Sequence, residues 1–256
     1  MILWPHVLPQ QLLVEGYGEQ LSNQLIRTEM DAGPAKVRRR FTAAPRPVNG
    51  QIVVSPAQLV FFRNWYYNVL LGGSLRFGWT DPFTTDEITN LLTNGGFEEG
   101  TEGWLNYQCT SASIPGGVYG KCCELTRVTG ATQYIPQNLT LSPGKTYCVS
   151  GYAKSGTSGN EAGDFTAWDK DGGVLEVAFL SSESWTFHRG MFVCANTETT
   201  VFAQKHSDTP GTMLFDEVSL VDITSGVVEM RFIEPPTLSP IDPTAIRINM
   251  ALEILP

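Results

Sequence analysis

FDEVSLVDITSGVVEMRFIEPP, residues 215–236, reads as two strands belonging to different units, joined by a Thr-Ser-Gly break. Before the break, a β-branched stretch closes a long run of alternating segments. After it, VEMRFIEPP and the final RINMALEILP make two strands with too little chain around them for a core of their own. They need partners earlier in the sequence, and residues 1–82 offer them. Insertions are best tolerated at exposed turns, where the chain leaves and re-enters at neighbouring points. The expectation is one β-rich domain, residues 1–89 with 223–256, interrupted by a second β-sandwich domain over 90–222.

Working outward, segments such as VRRRFTA, GQIVVS, YCVSGYA, GMFVCA and TVFAQ are separated by Gly, Pro, Asn and Asp clusters, an all-β rhythm. One helix stands out. Ser55 is a natural N-cap before Pro56 at the first helical position, and AQLVFFRNWYYNVL runs on to the Gly72-Gly73 stop. Leu59, Phe62, Trp65 or Tyr66, and Val69 fall at helical spacing, so this helix is expected to lie on the sheet. SLRFGWTDP, 74–82, reads as a strand ending in an Asp-Pro turn, and the text changes character near Thr84.

With 256 residues and 42% of them apolar, wholesale disorder is excluded, and no apolar run approaches the ~20 residues of a membrane-spanning helix. The N-terminal MILWPHVLPQQ lacks a basic flank and a small-residue cleavage site, so no secretory signal is expected. Charge divides unevenly. Residues 1–89 with 223–256 carry 10 Lys/Arg against 11 Asp/Glu, and residues 90–222 carry 7 against 15, so almost all of the net −9 sits in the insert. An acidic insert argues against nucleic acid and suits a divalent cation. All five cysteines, Cys109, Cys122, Cys123, Cys148 and Cys194, lie in it too. An odd number favours reduced thiols packed as small hydrophobes over a disulfide framework.

The outer segments resemble the distal minor tail proteins (minor tail protein M, distal tail protein) of lambda-like long-tailed phages. The resemblance is carried by VEGYGEQ at 14–20, KVRRRFT at 36–42, FFRNWYYNVLLGGSLRFGWTDP at 61–82, MRFIEPP at 230–236 and MALEILP at 250–256. It implies a structural subunit at the distal end of a tail tube, assembled with itself as a ring by heterologous contacts and meeting other tail proteins: tail tube, tape measure and tail tip hub. Lys36, Arg38, Arg39, Arg40 and Arg46 form a basic cluster. On a strand, Lys36, Arg38 and Arg40 share one face while Val37, Arg39 and Phe41 share the other, so at most one arginine competes with the core side. An ion-pairing or solvated face and a DNA-touching ring lumen are both open readings, with the outer domain's near-zero charge weighing against the second.

Residues 90–222 resemble the β-sandwich carbohydrate-binding modules of the family 4/9 type, through NLLTNGGFEEGTEGW at 90–104, LTLSPGKTYCVSGYAKS at 139–155, WTFHRGMFVC at 185–194 and MLFDEVSLVDI at 213–223. The fold class expected for the whole chain is mainly β: a β-barrel or sandwich tail-protein domain with one helix, interrupted by an inserted jelly-roll sandwich. The resemblance implies a structural calcium ion (Ca²⁺) held by the hard oxygens of Glu98 and Asp216 with backbone carbonyls. The alternative is that both are turn residues accepting backbone N–H bonds. By the family pattern Trp104, Trp185 and Tyr147 belong to the core. Saccharide contacts are expected at Tyr134 with Gln133, Trp168 with Asp164, and His188 with Gln204 and His206, because stacking on a pyranose needs an aromatic face beside hydrogen-bonding groups.

The function implied is a virion protein of the phage tail tip, made in the host cytoplasm, whose insert binds host cell-surface polysaccharide for attachment. The alternative is a purely structural decoration or spacer. No catalytic residues are assigned: G-x-S-x-G and HExxH are absent, and His6, His188 and His206 have no metal-ligand spacing. The chain is therefore not expected to be an enzyme.

Overall fold

The computed structural model describes residues 1–21, 23–40, 43–80, 88–157, 159–169, 172–224 and 226–256, with the side chains of 172–174 left aside. Phe41 and the change of unit near Thr84 lie outside the described residues. The fold is mainly β with one α-helix, and the chain forms two compact units, Ile2–Glu87 with Val227–Pro256, and Ile88–Gly226.

The first unit begins with β1 (Ile2–Leu3), β2 (Gly18–Glu19), β3 (Leu25–Thr28), β4 (Lys36–Arg39) and β5 (Arg46–Val54). In β5, Val48, Ile52 and Val54 alternate with exposed or half-buried residues, the period of a strand with one covered face. The helix α1 (Pro56–Asn64) starts at a capping box: the Ser55 hydroxyl accepts the Gln58 N–H, and the Gln58 side chain accepts the Ser55 N–H. Its continuation differs from the expected single helix, because Trp65–Val69 is a π-helical turn. The adjacent Trp65 and Tyr66 on this turn are both buried, as are Phe61 and Phe62 one turn before them. Then comes β6 (Phe77–Thr80), all four residues buried. Trp79 stacks on Trp4 at 4.0 Å, Trp65 meets Trp4 edge-on at 5.2 Å, and the Trp79 indole N–H donates to the Gln10 carbonyl at 2.9 Å.

The second unit holds β7 (Cys109–Pro115), β8 (Lys121–Arg127), β9 (Thr132–Thr140), β10 (Thr146–Ser155), β11 (Ala162–Asp169), β12 (Gly172–Leu180), β13 (Thr186–Val193), β14 (Glu198–His206) and β15 (Thr212–Asp222). They make a sandwich of a five-stranded sheet, order β13-β10-β15-β8-β7, on a four-stranded sheet, order β12-β11-β14-β9. Phe165, Phe215, Ile135, Val201, Val149, Leu125 and Met213 fill the space between the sheets. Residues 90–95 run beside β15: the Asn90 amide donates to the Val218 carbonyl and its oxygen accepts the Leu92 and Leu220 N–H groups. Gly95 comes so close that a Cβ there would lie 1.9 Å from the Val218 carbonyl oxygen. All five cysteines are free and buried. Burial pushes the Cys148 thiol up to about 11 and, with Asp216 nearby, the Cys122 thiol up to about 12.

The chain then returns through β16 (Val227–Phe232), β17 (Thr237–Asp242) and β18 (Ala245–Ile254). The first unit's sheet has the order β1-β6-β16-β18-β5-β2, with β17 also paired to β18. β16 lies antiparallel to β6 with Val227 opposite Thr80, and β18 pairs with β5 from Ile246↔Val54 to Ile254↔Arg46. The two returning strands thus have partners from residues 46–80. β3 and β4 stand apart as a two-stranded ribbon exposed on both sides, so the expected core-facing side of KVRRRFT is corrected: Val37 is 55% exposed. No helix among the described residues is long and apolar enough to cross a membrane.

Candidate functional site: the open face of the four-stranded sheet

Because side chains alternate along a strand, the register of β9, β14 and β11 decides which residues share the face turned away from the core. Gln204 lies opposite both Tyr134 and Asp164; Phe202 opposite Pro136 and Thr166; Thr200 opposite Asn138 and Trp168; His206 opposite Thr132 and Ala162. Inward, the same strands send Ile135, Phe165, Ala167, Val201 and Ala203.

The open face carries a row of rings. Tyr107, bridged to β9 through its backbone, stacks on Tyr134 at 4.5 Å with 22° between planes. Tyr134 meets Phe202 at 5.1 Å, and Phe202 meets Trp168 edge-on at 6.3 Å. Phe202 is buried as the floor, while Tyr107 and Trp168 are 47% and 50% exposed at the ends. A groove of about 490 Å³ opens beside Trp168, bounded by Asn138, Thr140, Glu198 and Thr200.

Alongside the rings lies a polar set. Asp164, 1% exposed, accepts the Thr166 hydroxyl at 2.6 Å through one carboxylate oxygen, and its other oxygen takes the His206 imidazole and the Gln204 amide. Rings flanked by a fixed carboxylate, amide and imidazole can stack on the apolar side of a sugar and hydrogen-bond its hydroxyls.

Of the expected saccharide residues, Tyr134, Asp164, Trp168, Gln204 and His206 come together here. Gln133 and His188 do not, and both are corrected. Gln133 points inward, fully buried, with its amide donating to the Gly130 and Ser207 carbonyls. His188 lies on β13 of the other sheet, stacked on Phe179 at 4.3 Å, where burial lowers its basicity. Tyr107, Phe202, Thr166, Thr200 and Asn138 were missed, since only the cross-strand register brings them to the face. Trp104 and Tyr147 are core residues, whereas Trp185 is half-buried at the rim, with Lys154 5.9 Å from its ring and its N–H on the Gly116 carbonyl.

Glu98 and Asp216 flank the Gly116–Gly120 turn between β7 and β8. Glu98 Oε1 accepts the Lys121 N–H at 2.7 Å; Asp216 Oδ2 accepts the Val118 and Tyr119 N–H groups at 2.6 and 3.2 Å, and its Oδ1 accepts the Glu217 N–H. Burial, with the Glu217 charge beside it, pushes the Asp216 carboxyl up to about 8. Among the described residues no group of three or more His, Cys, Asp or Glu is arranged to hold a metal ion. Both carboxylates accept backbone N–H bonds, as the turn-residue alternative expected, and hard oxygens of this kind are also what a Ca²⁺ ion would take.

Residues 89–206 match the family described as a carbohydrate binding domain. The matched segment contains every residue of the ring row and of the Asp164 polar set. Among solved structures, a family 16 carbohydrate binding module is 20% identical, with a TM-score of 0.42 over 52% of this chain and 100% of that one. The CBM22-1 xylan-binding domain of Xyn10C from Paenibacillus barcinonensis is 20% identical, with a TM-score of 0.45 over 56% and 99%. The enzymatically active domain of tailspike protein 4 of bacteriophage CBA120 is 16% identical, with a TM-score of 0.42 over 52% of this chain and 21% of that one. No curated protein matches.

Proposed function

We propose that the protein is a structural component of a phage tail tip whose sandwich unit binds host-surface saccharide for attachment. The observation that carries the binding half is the open face itself: four aromatic rings in a row beside Asp164, Gln204 and His206, within the segment matched to a carbohydrate binding domain. The outward side chains described on β9, β11, β12 and β14 include Asp164, Glu176 and Glu198 and no Lys or Arg, so the face suits an uncharged glycan and repels an anionic one. The tail-tip half is supported by the sequence resemblance of residues 14–82 and 230–256, and it carries with it the ring of like subunits, the neighbouring tail proteins and a place in the virion. Many weak sites on one particle would raise avidity without any new contact.

Affinity electrophoresis of the full chain in neutral and in anionic polysaccharides tests the reading. Retardation by a neutral polymer, reduced by Trp168→Ala, supports it. No retardation by any envelope fraction of a host leaves a spacer or decoration protein as the better account, and release of reducing ends would make the face an active site.

We further propose that Glu98 and Asp216 hold a structural Ca²⁺ with nearby carbonyls. A melting temperature that rises with calcium and not with magnesium, and whose rise is lost in Asp216→Asn, is the expected result; the same melt in calcium and in chelator would remove the ion from the account.

A further inference from the structure

The ribbon β3–β4 has no third strand among the described residues: Leu25 pairs with Arg39, Ile26 with Arg38, Arg27 with Val37, and Thr28 with Lys36, and neither strand joins another sheet. A lone two-stranded ribbon is marginal in water at best. This one also exposes Leu25 at 56%, Val37 at 55% and Met30 at 42%, so these side chains return little to folding. Cross-strand partners share a face. One face therefore presents Leu25 opposite Arg39 and Val37 opposite Arg27, and the other presents Lys36 and Arg38 with Ile26 and Thr28.

Charge singles out what covers the ribbon. Residues 24–40 carry five Lys/Arg against two Asp/Glu, in a chain whose net charge is −9 and whose sandwich unit holds 7 Lys/Arg against 15 Asp/Glu. Of the ribbon's cations, Arg27 is engaged locally, by Glu29 at 2.9 Å, and Arg39 donates to Gln24 at 3.3 Å. Exposed apolar side chains interleaved with cations, on a strand pair that no other strand covers among the described residues, suit a contact with an acidic protein surface better than a solvated edge.

We propose that the β3–β4 ribbon of one copy docks on the acidic sandwich unit of a second copy. Donor and acceptor surfaces differ, so the contact is heterologous and propagates head to tail. The inference deepens the assembly half of the function proposed above and rests on it.

Sedimentation of the full chain over a concentration series tests it, from about 50 mM to about 500 mM salt, since screening weakens exposed charge pairs. Wild type is expected to associate with rising concentration, and less at high salt. Lys36→Glu with Arg38→Glu is expected to weaken association by roughly tenfold or more, with the melting temperature and polysaccharide retardation unchanged. Lys36→Gln with Arg38→Gln gives a smaller loss and serves if the reversed pair misfolds. A reversed chain still offers its acidic unit, so in excess it should cap wild-type assemblies and cut them to pairs. Equal association of wild type and both variants overturns the ribbon contact while leaving assembly standing. A wild type monomeric throughout overturns both. Duplex DNA retained through the ribbon, without self-association, would replace the contact by a nucleic-acid one.

Discussion

Tyr134 and its chain neighbour Gln133 point to opposite faces of β9, so only one of them can touch a ligand laid on the open face. The composition of the face was legible where residues lie two or four apart on one strand, as with Gln204 and His206, or Asp164 and Trp168. It was not legible where it depends on register between strands distant in sequence, which is how Tyr107 and Phe202 reach the row. Tyr134→Ala and Trp168→Ala should each weaken saccharide binding about tenfold, worth about 1.4 kcal/mol, with little change in fold, read by titration calorimetry. A second residue-scale feature was invisible to pattern: Lys205, fully buried, pairs with Glu161 at 2.7 Å and donates to the Thr209 carbonyl. Breaking a buried pair strands a charge, so Lys205→Met should cost about 3–5 kcal/mol, while Lys205→Met with Glu161→Leu should recover most of it, measured by urea unfolding. Burial pushes the Glu161 carboxyl up, but hydrogen bonds from Lys205, Ser207 and Thr209 outweigh it and hold the group below its ordinary value of 4.5. Its folded value being the lower, its contribution is complete above that ordinary value and is lost as pH falls through the folded one; Glu161→Gln should flatten this acid limb of the stability curve.

Among the elements, α1 was readable because its signals are local: Ser55 and Pro56 mark the start, the structure adds the Gln58 half of the capping box, and removing the cap by Ser55→Ala should cost about 1 kcal/mol in thermal unfolding. Its π-helical end was not readable: helical spacing left Trp65 and Tyr66 as alternatives for the covered face, and the structure buries both. NLLTNGGFEEGTEGW carried only a resemblance in the sequence; the structure gives its Gly95 a physical task, because the Val218 N–H donates to its carbonyl at 2.9 Å and any Cβ would collide with the Val218 oxygen. Gly95→Ala should cost about 2–4 kcal/mol, whereas Gly100→Ala, where a Cβ meets nothing within 4 Å but φ is +86°, should cost only about 1 kcal/mol. KVRRRFT shows the reverse failure: alternation on a strand promises a buried side only if a sheet is there to bury it.

At the scale of the whole molecule, the uneven charge and the confinement of the cysteines to one stretch follow the division into two compact units. All five thiols should resist a thiol reagent in the native state and react together on unfolding, since all five are buried away from it. The pairing of Val227 with Thr80 has a further consequence. To the first unit's sheet, everything between those two residues takes the place of a hairpin turn. Replacing it by an Asn-Gly turn should leave a protein with a cooperative melt. The same seam would accept any compact module whose two ends approach to about one strand spacing, ~4.8 Å. A lineage that exchanged modules there could give the chain a different second unit in one recombination event, while the strands on either side kept their partners.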